Sequence, residues 1–411
     1  MTLPEEFTTY TRALMGEERF ARFLGALDEP APVSIRVNPF KAEATPETGA
    51  DRVVWCRGGY YLDSRPAFTF DPLLHAGAYY VQEASSMFID HVVRQFVHVP
   101  VTALDLCAAP GGKTTCLRAA LPEGSGLYSN EPHPKRAQIL AENVVKFGHP
   151  EVVVTNNYAI DYQRAGLRFG LILADMPCSG EGMFRKDPES IGEWSPANVE
   201  KCAALQRSIL ADIWPCLLPG GLLIYSTCTF NAHENEDNIA FAVEELGAEP
   251  VAIPVEEAWR VAGPLTGPHP ICRFIPGTTR GEGLAVALLR KPETAADLPT
   301  RDRGKGHTTP LLRVLSDGVK PPQVKGKKTL PDVSQALTIL DEANPYPRVD
   351  VGYDEAIAYL RRESIALPAA APKGLVTVCH EGFALGFAKN LGTRANNLYP
   401  QEWRIRSTHR P

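Results

Sequence analysis

Three stretches carry side chains whose types and spacing can do chemistry. Residues 171–182 read LILADMPCSGEG, an apolar run that ends in Asp175 and places Cys178 three residues further on. Residues 221–231 read GLLIYSTCTFN, a second apolar run with Cys228 just beyond its end. Residues 105–115 read DLCAAPGGKTT, a glycine-bearing loop between an apolar run and a helical one. Both cysteines follow a strand into a loop, where catalytic groups collect. If the two strands are parallel neighbours, two thiols and an acid converge over one site. Cys56, Cys116, Cys202, Cys216, Cys272 and Cys379 read instead as small buried side chains. On spacing alone, Cys178 is the favoured nucleophile, because it lies so close to Asp175.

The loop at 105–115 admits two cofactor classes. Gly112, Lys113 and Thr114 match the second half of a phosphate loop, but Cys107 stands where its first glycine belongs. Pro110 also removes a backbone N–H where a phosphate nest needs one. The other class is S-adenosylmethionine, whose ribose asks for an acid about 20 residues on, at the end of the second strand. Glu131 lies 20 residues after Gly111. A thiol over a methyl donor suits a carbon acceptor such as cytosine C5. That carbon is a poor nucleophile until a thiolate adds to C6 and pushes electron density onto it.

These residues need a scaffold, and the sequence supplies one. VTALDL, GLYSNE, EVVVTN, LILAD and GLLIYST read as strands, with helical spacing over 134–148, 199–218 and 238–247 and a late strand at EGLAVALLR. Continuous Val/Ile/Leu runs alternating with helices predict a parallel, doubly wound sheet with ligands at its carboxyl ends. Residues 1–98 read as a separate mixed helix–strand segment, 99–290 as the sheet domain, and 331–411 as a further globular unit with strands at GLVTVC and FALGFA. Between them, 291–330 holds five prolines and the run KGKK, a linker composition.

Length, charge and cysteines narrow the class. A chain of 411 residues predicts two or three domains. No apolar run reaches 18 residues, so no membrane span is expected, and the polar, acidic start is unlike a signal peptide. Nine cysteines without a C-x-x-C pair, and ten histidines without ligand spacing, predict a reduced cytoplasmic protein with no metal site. The net charge of −6 hides a basic stretch: 290–330 carries 10 Lys/Arg against 4 Asp/Glu, and 371–411 carries 6 against 2. Such asymmetry predicts a polyanionic partner.

CAAPGGKTT, ADMPCSGEGMFRKDP and YSTCTFNAHENE together resemble the Sun-type RNA cytosine-C5 methyltransferases, and within them the bacterial RsmF-like ribosomal RNA enzymes. SIRVNPFK and YYVQEASSM resemble the N-terminal region of that family, and GFAKNLGTRANNLYPQEWRIR resembles its PUA-like RNA-binding domain. The resemblance implies an α/β fold: a Rossmann-like S-adenosylmethionine methyltransferase domain with a mixed α/β N-terminal domain and a C-terminal PUA-like domain. It also implies roles. Cys228 would be the nucleophile and Cys178 would assist release of the enzyme–RNA adduct. Asp175 would bind the cytosine edge, with Lys113 beside cofactor and base. Cys107, Ala108, Ala109, Pro110, Gly111, Gly112 and Lys113 would cradle the methionine part of S-adenosylmethionine, with Glu131 on the ribose, Arg136 close by and Asp175 at the cofactor's edge. Where the family often has an adenine-binding Asp, this sequence reads TNNYA, with Tyr158 near that place and Asn156 or Asn157 as the replacement. Arg185 and Lys186 would hold flanking phosphates, and Arg404 and Arg406 would touch RNA. The expected partner is ribosomal RNA or a ribosomal subunit, met by a monomer. The competing readings are a non-catalytic RNA-binding assembly factor and a P-loop NTPase.

Overall fold

A computed structural model describes residues 1–43, 51–294, 312–325 and 328–407. Strands β1 (Val33–Val37), β2 (Gly59–Leu62) and β3 (Tyr79–Val81) form a small antiparallel sheet in the order β2-β1-β3. The central sheet contains β4 (Thr102–Asp105), β5 (Gly126–Asn130), β6 (Val152–Thr155), β7 (Phe169–Asp175), β8 (Leu217–Thr227), β9 (Glu249–Val251), β10 (Cys272–Phe274), β11 (Leu284–Arg290) and β12 (Val314–Asp317). Its order is β10-β11-β8-β7-β4-β5-β6-β12, with β9 paired to β11. The five strands β8-β7-β4-β5-β6 are mutually parallel.

The parallel strands are buried because helices cover both faces, which is why their sequences are near-continuous apolar runs. One face packs Leu117, Leu140 and Val144 against Ala103, Leu171 and Leu173. The other packs Tyr162, Leu210, Ile213 and Ile239 against Leu104, Ile172 and Leu223. The predicted helix over 199–218 is helical only over Pro196–Ile213. A short 3-10 turn, Trp214–Cys216, then delivers the chain into β8.

Two sets of contacts tie the segments together in ways the sequence does not reveal. Helices Glu5–Met15 and Glu17–Leu27 of the N-terminal segment pack onto the sheet domain. Phe7, Phe20 and Phe23 bury against Phe184, Trp194 and Phe230, which flank the two cysteine loops. Phe7 lies 5.1 Å from Phe184 and 5.5 Å from Trp194, both edge-on, and Phe23 lies 5.0 Å from Phe230. The stretch read as linker is also partly ordered. Within it, β12 adds antiparallel to the edge of β6, and β13 (Gln323–Lys325) pairs with β14 (Lys328–Leu330). Residues 295–311 of that stretch lie outside the described residues.

The C-terminal unit is a four-stranded sheet of β15 (Arg348–Asp350), β16 (Gly374–His380), β17 (Phe383–Asn390) and β18 (Ala395–Asn397), in that order. Helix Tyr353–Leu360 covers it, and Tyr399 is fully buried in its core. Phe70 and Ala76 join this core, and the Tyr353 hydroxyl donates to the Phe70 carbonyl at 3.0 Å, so the unit docks on the N-terminal segment.

Candidate active site

The parallel strands run outward from β4 in both directions, so the topology switches between β4 and β7. Open α/β sheets bind ligands at the carboxyl ends flanking such a point. Asp105 ends β4 and Asp175 ends β7. Asp175 sits opposite Ser226 on β8, so the loops after β7 and β8 start side by side. This brings Cys178 and Cys228 together, with their sulfurs 3.3 Å apart.

Lys113 arrives from the other side of the switch. It lies in the first turn of helix Gly112–Ala120, and its ammonium donates to Asp175 Oδ2 at 2.9 Å. The Ser226 hydroxyl donates to Asp175 Oδ1 at 2.7 Å. Burial pushes the Lys113 ammonium down, but Asp175 more than offsets it and leaves the group above its ordinary value. The thiols differ in direction. The two thiols share a hydrogen bond that either can donate; that bond holds Cys228 below the ordinary thiol value against burial, and the Lys113 charge adds to this. The same bond, then burial, drives Cys178 well above the ordinary value. Nucleophilic attack needs the thiolate, which the shared bond and the Lys113 charge favour within this pair. The close approach depends on Gly182, whose N–H donates to the Cys228 carbonyl at 2.7 Å. A Cβ there would sit 2.7 Å from that same oxygen.

The loop from Cys107 to Gly112 is shaped from outside. Arg136 donates to the Ala109 carbonyl at 2.8 Å and Asn143 to the Pro110 carbonyl at 2.8 Å. Gly111 takes φ +115°, a left-handed conformation that glycine adopts without penalty. Glu131, 2% exposed, accepts from the His133 N–H at 2.9 Å and lies 3.6 Å from Arg136. Beneath the loop, Asp105 Oδ2 accepts the Thr114 hydroxyl at 2.6 Å, while its buried Oδ1 has no hydrogen-bond partner among the described residues. Burial pushes the Asp105 carboxyl up to about 7, with the Thr114 hydroxyl pulling the other way. Thr114 is wholly buried and its hydroxyl points to Asp105 and Ser129, so it is not presented to a nucleotide's metal as a phosphate loop requires. Asp105, Ser226 and Asn130 were not singled out in the sequence. Asn130 accepts from the Asn157 N–H and donates to the Leu106 and Asn157 carbonyls, clamping three strand ends. Position directly after an apolar run was the only signal available for any of them.

Two side chains expected to meet a ligand are engaged within the chain. Asn157 does not offer its side-chain amide to the cleft: it accepts from the Arg313 N–H at 3.0 Å and donates to the Arg313 carbonyl at 3.3 Å, fastening the chain just before β12. Asn156 likewise donates to the Glu131 and Pro132 carbonyls. Tyr158, by contrast, is 70% exposed. Arg185 is not a surface cation either. Its guanidinium pairs with Glu282 at 2.9 Å and donates to the Ala26 and Gly281 carbonyls, with its side chain 6% exposed. Lys186, Arg404 and Arg406 are exposed. Lys186 shares the rim of a cavity of about 830 Å³ with Arg65 and Arg280.

Similarity to known proteins agrees with this geometry. Residues 99–290 match the family of the 16S rRNA methyltransferase RsmB/F, residues 3–84 the N-terminal domain of 16S rRNA methyltransferase RsmF, and residues 346–405 the methyltransferase RsmF PUA domain. The chain is 31% identical to ribosomal RNA small subunit methyltransferase F of Serratia proteamaculans, covering 75% of this chain and 68% of the relative. It is 27% identical to the protein of the same name in Enterobacter sp., covering 97% and 95%. A solved methyltransferase homolog from Pyrococcus horikoshii superposes with a TM-score of 0.59 at 25% identity, over 70% of this chain and 95% of that one. With its thiol pair, its switch-point loop and its three matched segments, the chain belongs to the 16S rRNA methyltransferase RsmB/F family and carries RsmF-type N-terminal and PUA domains.

Proposed function

We propose that this chain methylates C5 of a cytosine in small-subunit ribosomal RNA, with Cys228 as the covalent nucleophile and S-adenosylmethionine as methyl donor. The observation that carries the reading is the meeting of Cys178 and Cys228 at 3.3 Å, beside the Lys113–Asp175 pair. The residues present fit the donor. Glu131 is a buried strand-end carboxylate with acceptor capacity left for ribose hydroxyls, and the Asp105 Oδ1 acceptor beneath the same loop lacks a partner among the described residues. Glu131 and the Cys107–Lys113 loop would hold this donor, which supplies an electrophilic methyl group.

The target cytosine must leave its stack to reach these groups. Asp175 then accepts from the base's N4 amino edge, while Lys113 keeps the carboxylate in place and lends positive charge to the site. The Cys228 thiolate adds to C6, forming a carbon–sulfur bond and moving an electron pair to C5, the carbon that is methylated. Loss of the C5 proton expels the Cys228 thiolate and restores the double bond, with Cys178 assisting the release. The fixed thiol pair, not a stacking aromatic, is what favours carbon over an exocyclic amine as acceptor.

Lys186, Arg404 and Arg406 are exposed cations suited to phosphate contact, and the reading places the chain as a monomer in the cytoplasm. All nine cysteines are free, as suits a reducing compartment. Labelled methyl transfer to ribosomal RNA or to small subunits, followed by bisulfite mapping, tests the reading. Incorporation at a single cytosine is expected. No incorporation into either substrate, or label on an exocyclic amine, overturns it.

A further inference from the structure

The two cysteine loops are cross-linked by buried carboxylates that take no part in the steps above. Glu181 follows Cys178 by three residues and is 1% exposed. Its Oε2 accepts the backbone N–H of Phe230 at 2.6 Å and of Asn231 at 2.9 Å, both on the loop after Cys228. Its Oε1 accepts the Trp194 indole N–H at 3.0 Å and the Asn231 side-chain amide at 3.0 Å. Glu234 makes the reverse connection. It lies six residues past Cys228, is wholly buried, and its Oε2 accepts the backbone N–H of Ser179, next to Cys178, at 3.0 Å. The Gln206 amide donates to the same oxygen at 2.8 Å and to the Pro177 carbonyl at 2.9 Å. Asn231 completes the brace, donating also to Glu234 Oε1 at 2.8 Å.

Each loop thus sends a carboxylate into the backbone of the other. Two buried carboxylates sharing one amide donor are a costly way to close a pair of loops, and an apolar plug of the same volume would avoid the desolvation. What the charges add is direction: each carboxylate holds backbone N–H groups within three residues of a cysteine on the opposite loop. We infer that Glu181 and Glu234 are positioning residues of the methyl-transfer reaction, cross-bracing the two loops so that Cys178 and Cys228 meet at hydrogen-bonding distance. The aromatic contact of Phe7 with Trp194 extends the brace to the N-terminal helix. The thiol pair is faced by Lys113 and Asp175 on one side and by Glu234 on the other.

The inference rests on the covalent reading, so the test begins with the wild-type chain on small-subunit RNA containing 5-fluorocytosine, whose C5–F bond blocks elimination and retains the adduct. Absence of a wild-type adduct sinks that reading. With the wild-type adduct in hand, Glu181→Gln and Glu234→Gln are expected to form it about 100-fold more slowly, as displaced reacting groups do. Both should bind S-adenosylmethionine within about twofold of wild type, since the displacement spares the cofactor loop. A second readout distinguishes positioning from mere stability. Removing the Glu234 charge, which raises the Cys228 thiol, moves the pH midpoint of iodoacetamide alkylation at Cys228 down. Unchanged adduct rates in both Gln variants overturn the inference, as does an unmoved alkylation midpoint in Glu234→Gln. If either variant loses S-adenosylmethionine binding, Trp194→Phe decides, because it removes one donor to Glu181 and keeps the packing. Adduct formation slowed about tenfold supports the brace, and an unchanged rate overturns it.

Discussion

The ammonium of Lys113 and the carboxylate of Asp175 lie 2.9 Å apart across the point where the sheet changes direction. One group comes from the helix that follows the Cys107–Gly112 loop and the other from the strand that leads to Cys178, so the pair joins the two halves of the site. Asp175→Asn keeps the shape but loses the charge that holds Lys113. We expect kcat to fall at least about 100-fold while S-adenosylmethionine affinity changes less than tenfold, measured by single-turnover methylation and calorimetry. Equal losses in both would place Asp175 on the cofactor alone.

Gly182 presents a steric test. A methyl group added there would stand 2.7 Å from the Cys228 carbonyl and 3.3 Å from that of Gly283, and backbone cannot yield as a side-chain tip can. Gly182→Ala should separate the thiol loops and lower the rate of adduct formation at least tenfold without unfolding the chain. A fully active Gly182→Ala would show that the spacing of these loops is not critical.

Arg185 and Lys186 are neighbours with opposite fates. Arg185→Ala leaves Glu282 buried and unpaired, which costs about 3–5 kcal/mol, so a lowered melting temperature is expected. Lys186→Ala should leave the melting temperature within about a degree, weaken RNA binding severalfold, and reduce the salt slope of binding by about one. Swapped outcomes would contradict the side-chain placement.

Asp105 makes stability depend on pH. Its folded value of about 7 lies above the ordinary 3.8, so its stabilising share is complete below about 4 and is lost as pH rises through 7. Asp105→Asn removes the cost of burying that charge. The variant should gain a few degrees of melting temperature over wild type at pH 8 and nothing at pH 4. A gain that is the same at both pH values would show that Asp105 does not titrate in this range.

Much of this site could be read from sequence because its signals are local. Apolar runs ending in Glu131 and Asp175 gave strands with acids at their ends, and a parallel pairing of the runs before Cys178 and Cys228 was enough to bring those two cysteines together. What could not be read depends on partners far along the chain. Asn157 looked free for a ligand because its partner, Arg313, lies 156 residues away in a stretch whose prolines and lysines suggest a linker. Arg185 looked exposed because Glu282 lies 97 residues on. The role of the first helices as a buttress for Phe184, Trp194 and Phe230 has no local signal at all, since an amphipathic helix does not announce which core it will join. Glu181 and Glu234 stood inside quoted motifs, yet a glutamate in a loop reads as a solvated charge until its backbone donors are known.

The central claim is the division of labour between the two sulfurs, and a denaturing gel measures it directly. Purified Cys178→Ala and Cys228→Ala are incubated with S-adenosylmethionine and small-subunit ribosomal RNA, then separated under conditions that leave only covalent complexes. Cys178→Ala should accumulate a slow-migrating protein–RNA band. Cys228→Ala should give neither that band nor methylated product. A band with Cys228→Ala and none with Cys178→Ala would assign the attack to the other sulfur and contradict the account.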